Sequence, residues 1–306
     1  MTSNATRLQP PPCLLCALHG RRGFMRLLGG SAALAMSGAA TAQASADAGA
    51  GVRGDVGGTS RAARLIPAEQ VEGAAAQQYL QLMREAAGQR QLAGAGDPQV
   101  SRLRAIAKRI IPFAPSWNDR ARQWRWEVNL LISPELNAFC MPGGKIAFYS
   151  GILQKLQLDD DEVATIMGHE TAHALREHAR ARMGKSVATR GLIELGSALL
   201  GLGQVGRTFA DIGGQLLTLK FSREDETEAD IVGLDLAARA GYNPAAGVSL
   251  WEKMIAANKG APPQWLSTHP ASDTRIREIQ AKLPKVLPLY ERAPKPEHRY
   301  APPAAG

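Results

Sequence analysis

Apolar positions recur at three- and four-residue spacing through most of the chain, which is the period of helices that bury one face. The first such stretch covers 67–91, and the second follows Asp97-Pro98, where an acidic residue and a proline suit a helix start. Further helices are predicted to begin near these residues: Gly151, Asp160, Arg223, Pro244 and Ser272.

Strand patterns are confined to one short region before the middle of the chain. Apolar and polar residues alternate over 124–132, and a second strand is predicted at 145–149 after the turn Pro142-Gly143-Gly144. The stretch between them, 136–141, is expected to form an exposed edge that pairs with an extended peptide. The alternative is an ordinary hairpin with a covered edge. The pattern as a whole predicts a mainly α-helical α+β fold.

Composition narrows the function classes. The 306 residues are 45% hydrophobic and 21% charged, as in ordinary globular proteins, and three cysteines exclude a disulfide scaffold. A net charge of +8 suggests a nucleic-acid ligand, but the distribution of the charge along the chain does not support one. Half of it comes from four arginines in the first 42 residues, which contain no acid. No basic run with interleaved aromatic residues follows, so nucleic-acid binding is not expected.

The N-terminal region resembles an export signal. Arg21-Arg22 precedes the uncharged, weakly apolar stretch 27–46, which contains small residues suited to cleavage near Ala42. We therefore predict a twin-arginine signal over 1–42 and a periplasmic protein; the alternative is an uncleaved leader that anchors the chain in the inner membrane. The predicted segments are the signal, a flexible linker at 43–63, a folded domain at 64–290 that carries the motifs described below, and a Pro/Ala-rich tail at 291–306.

The segment 187–219 is apolar and rich in glycine, but its longest uncharged run is too short to span a bilayer. It is expected to form a mobile helical hairpin near the functional site or a peripheral membrane contact.

The strongest chemical signal is His169-Glu170-Thr171-Ala172-His173. Histidines four positions apart share one face of a helix, so both imidazoles can bind one metal ion, and Glu170 can reach a metal-bound water. A metzincin continuation would need glycine at position 176 and histidine at position 179, where this chain has Arg176 and Ala179, so that class is excluded. His178 lies off the ligand face of such a helix, and we expect it to be solvated or to support a ligand.

A third ligand is predicted in the acidic segment 222–230. On a helix Glu226 and Asp230 share a face with apolar residues, and Gly233 nearby permits close packing. Glu224 and Glu228 fall on a more polar, solvated face, together with Asp235 and Arg239. We therefore predict that Glu226 binds the metal and that Asp230 orients a ligand histidine.

Four motifs occur in the order found in metallopeptidase family 48. They are residues 137–144, the His-Glu-x-x-His helix, Ser222-Arg223 with Glu226 and Asp230, and Ser267-Thr268-His269-Pro270. The chain resembles this family over about 67–290. The resemblance implies a gluzincin fold with a small β-sheet beside the His-Glu-x-x-His helix. It also implies one zinc ion per chain bound by His169, His173 and Glu226, with Glu170 as general base.

These observations predict an exported zinc-dependent endopeptidase in envelope protein quality control. Its expected partners are proteins or peptides, including misfolded envelope or outer-membrane proteins. The rival hypothesis is a latent zinc-binding assembly factor that acts mainly by binding clients.

His269 lies in a proline-flanked loop and is predicted to belong to the active site. It could donate a hydrogen bond to the oxyanion of the tetrahedral intermediate. It could instead occupy the fourth zinc position at rest and keep the enzyme off, as the resemblance suggests. A histidine that only caps the next helix is the third possibility.

The predicted substrate-binding edge consists of Asn137, Ala138, Phe139 and Cys140.

Overall fold

The computed structural model describes residues 51–199, 216, 219–257, 264–270 and 272–304, without the side chains of 190–199 and 264. All of these belong to one unit that spans Ala44–Gly306. The predicted export signal and the first residues of the predicted linker lie outside the described part. Among the described helices, none combines the length and apolar character needed to cross a membrane.

Helices make up most of the described structure, as predicted. Helix α1 spans Ala68–Gly88 and α2 spans Pro98–Ile110, where the Asp97 side chain accepts hydrogen bonds from the first turn. The other α-helices of the described residues are α3 (Ser150–Lys155), α4 (Asp160–Leu175), α5 (His178–Leu199), α6 (Arg223–Arg239), α7 (Ala246–Ala257), α8 (Gln264–Thr268) and α9 (Asp273–Arg292).

Three short strands form a mixed sheet. Strand β1 (Glu127–Leu131) runs parallel to β3 (Lys145–Tyr149), and β2 (Ala138–Met141) runs antiparallel to it. The order is β1-β3-β2, so β3 is central and β2 is an edge strand of this sheet. Leu130, Ile146 and Phe148 enter the core cluster that they share with α4 and α6.

Helices α4 and α6 pack backbone to backbone at two glycines. A Cβ atom on Gly168 would lie 2.6 Å from the carbonyl oxygen of Gly233, and one on Gly233 would lie 2.7 Å from the amide nitrogen of His169. No larger residue fits without separating the helices. This crossing places His169, on α4, directly against α6.

The structure differs from the predicted flexible linker over 51–63. Val52 is completely buried in the main core, and its amide N–H donates to the Asp235 side chain across 3.4 Å. Asp55 forms ion pairs with Lys282 and Lys285 on α9. The alanine- and glycine-rich composition suggested a free tether, but one apolar residue and one acid attach the segment to the domain. Asp235, predicted on a solvated face, is consequently buried.

The predicted segment 187–219 is helical as far as residue 199, within α5, and most of its remainder lies outside the described residues. The C-terminal stretch 293–304 has no regular secondary structure and lies against the domain. Its Tyr300 N–H donates to Asp160 across 2.9 Å, and Arg299 pairs with Asp161 at 2.7 Å.

Candidate metal centre

The start of α4 sets the phase of the two predicted ligand histidines. Asp159 and Glu162 form a reciprocal capping box that fixes the first turn. Ten residues after the cap, His169 begins the His-Glu-x-x-His motif, and both histidines are buried. Their Nε2 atoms lie 3.1 Å apart. Two imidazoles therefore converge on one point, as the spacing predicts.

Helix α6 begins at a second capping box, between Ser222 and Asp225, and brings its acidic face to the same point. The two oxygens of Glu226 lie 3.6 Å from the Nε2 atoms of His169 and His173. Asp230, one turn further on, lies 3.0 Å from Nδ1 of His169. The structure thus brings together the acidic pair that the helical period selected.

His269 joins this group from the end of α8. Its Nδ1 lies 2.9 Å from Glu226 Oε1 and 3.3 Å from His169 Nε2, whereas its Nε2 points toward Glu170 at 3.5 Å. Burial alone would lower the pKa of His269, but the carboxylates of Glu170 and Glu226 outweigh it and raise that pKa. His269 is therefore part of the site and does not act as a simple helix cap.

The four side chains fit a transition-metal ion. One ligand atom each from His169, His173, Glu226 and His269 lies within 4.8 Å of all the others. Imidazole nitrogen and carboxylate oxygen bind zinc at about 2.0–2.2 Å, so ligand atoms of one ion must be only a few ångströms apart. The Asp230 contact keeps a proton on Nδ1 of His169, which leaves the Nε2 lone pair directed into the cluster.

Arg275 was missed at the sequence level. This buried side chain of α9 donates to both oxygens of Asp230 at 2.7 Å and lies 2.8 Å from Glu226 Oε2. Burial would raise the pKa of Asp230, yet Arg275 and His169 lower it to about 2. The guanidinium also stacks over the ring of Trp251, 3.7 Å from its centroid. No local signal distinguishes this arginine from the other basic residues of its helix.

Glu170 points into the cleft and is held by an aromatic residue from a distant segment. The indole N–H of Trp265 donates to Glu170 Oε1 across 2.7 Å, and both residues are buried. Trp265 lies four positions before His269, and its carbonyl oxygen accepts the His269 N–H at 2.8 Å. One short helix therefore contacts both the predicted base and the predicted ligands. The sequence offered no signal for this role of Trp265.

The ring of His173 is enclosed on two sides. Phe221 stacks on one face, with ring centroids 4.0 Å apart, and His178 Nδ1 lies 2.9 Å from His173 Nδ1. Burial lowers the pKa of His173 well below its ordinary value, and the neighbouring histidines His169 and His178 lower it further. His178 itself is only 3% exposed. The alternative of a solvated His178 is therefore wrong, and the alternative of a ligand-supporting histidine fits.

A cleft beside the cluster has β2 along one wall. Its lining includes residues 137–142, Glu170, His173, Leu219 and Phe221. The carbonyl oxygen of Asn137, just before β2, accepts a hydrogen bond from the N–H of Tyr149 on β3, and that of Met141 accepts one from Gly144 in the following turn. Because alternate residues of an edge strand face opposite ways, the carbonyl of Ala138 and both main-chain groups of Cys140 are directed away from β3.

Comparisons with known proteins find similarity to metalloendopeptidases and other proteases. Mitochondrial metalloendopeptidase OMA1 of Schizosaccharomyces pombe is 38% identical over 164 residues, which are 53% of this chain and 48% of that protein. Metalloprotease LoiP of Escherichia coli is 26% identical over 179 residues, 58% of this chain and 70% of that protein. The Beta-barrel assembly-enhancing protease of Escherichia coli is 26% identical over 170 residues, 52% and 35% respectively.

The chain spans about half the length of the first of these relatives. The sequence model of Peptidase family M48 matches residues 99–283, a range that begins in α2, ends in α9 and contains every residue of the metal cluster. The match covers more than half of the chain, and the members of this family are metal-dependent peptidases. This protein belongs to Peptidase family M48.

Proposed function

We propose that the protein is a zinc-dependent endopeptidase in which His169, His173 and Glu226 hold the metal. The observation that supports this most directly is the convergence of these three ligand groups beside Glu170, in a cleft that has an edge strand along one wall. When bound, zinc in such a site lowers the pKa of a water molecule and polarises the scissile carbonyl.

The protein's own residues divide the remaining work. Glu170 accepts the proton of the attacking water and delivers it to the leaving amine. Trp265 holds that carboxylate toward the cleft through its indole N–H. Asp230 fixes the orientation of His169, and Arg275 compensates the charge of both acids on α6. The outward main-chain groups of Ala138 and Cys140 align an extended peptide along β2.

Purified protein, assayed with an unstructured protein substrate, tests this proposal. We expect about one zinc per chain by elemental analysis, hydrolysis that a chelator abolishes, and recovery on adding zinc. Glu170→Gln should retain zinc and lose most of the turnover, since only the proton-transfer group changes. Hydrolysis that persists in Glu170→Gln would count against the assignment of the base.

A latent resting state is a second proposal, which the position of His269 favours. Its Nδ1 lies among the ligand atoms, where it would compete with the water that Glu170 must activate. In that state the protein could still bind clients, as the rival assembly-factor hypothesis requires. A Glu170→Gln variant that supports the biological role as well as the natural protein would favour client binding over proteolysis.

We also propose an exported protein that acts on misfolded envelope or outer-membrane proteins. The support is the arginine pair before a weakly apolar leader, together with the printed name of one relative, the Beta-barrel assembly-enhancing protease. Mass spectrometry of the envelope form should find a chain that starts near residue 43. An intact 27–42 stretch would refute cleavage, and unchanged export of an Arg21→Lys, Arg22→Lys variant would refute the route.

A peripheral membrane contact through 187–219 remains part of this proposal. Binding of the purified protein to lipid vesicles, compared with a variant shortened in that segment, tests it.

A further inference from the structure

His178 lies beside the nitrogen of His173 that faces away from the metal cluster, where a carboxylate or a backbone carbonyl is the usual partner. Metal-binding imidazoles commonly donate their other N–H to a carboxylate, a backbone carbonyl or water. For His169 that partner is Asp230. For His173, the nearest partner of Nδ1 among the described residues is His178 Nδ1, at 2.9 Å.

The geometry fixes which nitrogen donates. Nε2 of His173 faces the cluster, 3.1 Å from His169 Nε2 and 3.6 Å from Glu226 Oε1. A nitrogen that binds a metal offers its lone pair, so the proton of His173 must reside on Nδ1. His178 Nδ1 must then accept that proton's hydrogen bond, which places the proton of a neutral His178 on its own Nε2.

The outer nitrogen of His178 meets an acidic environment suited to that tautomer. Its Nε2 is buried, 3.6 Å from Glu228 Oε2 and 3.9 Å from Asp225 Oδ1, both beyond direct hydrogen-bond range. Glu228 is in turn paired with Arg176. Of the two neutral tautomers, the one with its proton on Nε2 directs that N–H toward these carboxylates and leaves Nδ1 free to accept.

The local backbone explains why His178 reaches this position. Helix α4 ends at Leu175, and Glu177 has a left-handed backbone with φ of 57° before α5 begins at His178. On one uninterrupted helix, a residue five positions after His173 would point away from the ligand face. The break between α4 and α5 turns His178 back toward the ring of His173. Arg180 donates a hydrogen bond to the Glu177 side chain and so adds a contact at the break.

We propose that His178 is a positioning residue for the metal: it accepts the Nδ1–H of His173 and so holds that ring in the tautomer and orientation that binding requires. Phe221 fixes the plane of the same ring by stacking, and His178 fixes its rotation within that plane. This inference rests on the metal centre of the proposed function and assigns no contact between His178 and substrate.

The test compares two replacements of nearly equal size, His178→Asn and His178→Leu. Asparagine carries an acceptor oxygen at the same branch position as Nδ1, whereas leucine has a methyl group there. Both variants and the natural protein are stripped with a chelator, and zinc affinity is measured by competition with a chromophoric chelator. Unfolding of the metal-free forms, followed by circular dichroism, reports any change in packing.

We expect His178→Leu to bind zinc about 10–100-fold more weakly, the usual effect of removing an outer hydrogen-bond partner. His178→Asn should remain within about threefold of the natural protein because the hydrogen bond is kept. The matched control is His298→Leu, which removes an exposed histidine outside the site and should leave affinity unchanged.

Equal zinc affinities for the asparagine and leucine variants would overturn the proposal, and so would failure of both to fold, since either result assigns the role to packing. The measurement does not depend on turnover. A protein that binds zinc in the expected order and hydrolyses nothing would therefore refute the endopeptidase function while leaving the role of His178 intact.

Discussion

Arg275 neutralises two buried carboxylates, and its replacement tests the electrostatic reasoning behind the site. Arg275 is 4% exposed, and its guanidinium donates to both oxygens of Asp230 and contacts Glu226. In Arg275→Gln both acids stay buried without their counter-ion. Breaking a buried ion pair by removing one partner typically costs about 3–5 kcal/mol, so we expect the free energy of unfolding to fall by that amount.

The pH dependence follows from the lowered pKa of Asp230. A carboxyl group with a pKa of about 2 instead of 3.8 stabilises the fold at all pH values above its unfolded-state pKa. That contribution, roughly 2 kcal/mol, disappears as the pH falls from about 4 to 2. Without Arg275 the pKa of Asp230 should rise. The variant should therefore lose stability less steeply than the natural protein over this interval.

Urea denaturation of the metal-free protein, held in a chelator and repeated at several pH values, measures both effects. The control is Arg277→Gln on the same helix, an exposed side chain whose loss should change stability by less than about 0.5 kcal/mol. A double-mutant cycle with Asp230→Asn isolates the pair, because the second replacement should cost much less once the first is made. Additive losses, or equal midpoints for Arg275→Gln and Arg277→Gln, would refute the reasoning.

Three further predictions concern the ligands and the cleft. Glu226→Gln should weaken zinc binding by more than the roughly 10–100-fold expected for an outer partner. Glu224→Gln removes the same charge from an exposed side chain and should retain the metal, whereas Glu228→Gln, beside Nε2 of His178, should weaken zinc binding by no more than an outer partner does. Equal zinc loss from Glu226→Gln and Glu228→Gln would contradict the helical-face argument. His269→Ala should raise basal proteolysis of an unstructured substrate if it is a resting ligand, while a 10²–10³-fold decrease would instead identify a transition-state donor. A complex with a substrate analogue should show main-chain hydrogen bonds to 136–141, and a bound analogue without them would reject the edge-strand hypothesis.

The sequence by itself determined the features that depend on one element. Four-residue spacing placed His169 and His173 on the same face of a helix, and the same period separated Glu226 and Asp230 from their acidic neighbours. Helical and strand periods are local properties, so the sequence alone also predicted a mainly helical α+β fold. The prediction was wrong for 51–63, where we inferred a flexible linker from the alanine- and glycine-rich composition and not from a hydrophobic pattern.

The tertiary structure decided which distant groups meet. Glycine contacts between α4 and α6 set how closely the two ligand helices approach, and the packing of α8 and α9 brought Trp265 and Arg275 to the site. His269 entered the prediction through a family resemblance, since no spacing rule relates it to a helix that ends almost a hundred residues earlier. The position of His178 depends on one residue with a left-handed backbone, Glu177, between two helices. Such contacts depend on chain direction and close packing over the whole domain, and no local period encodes them.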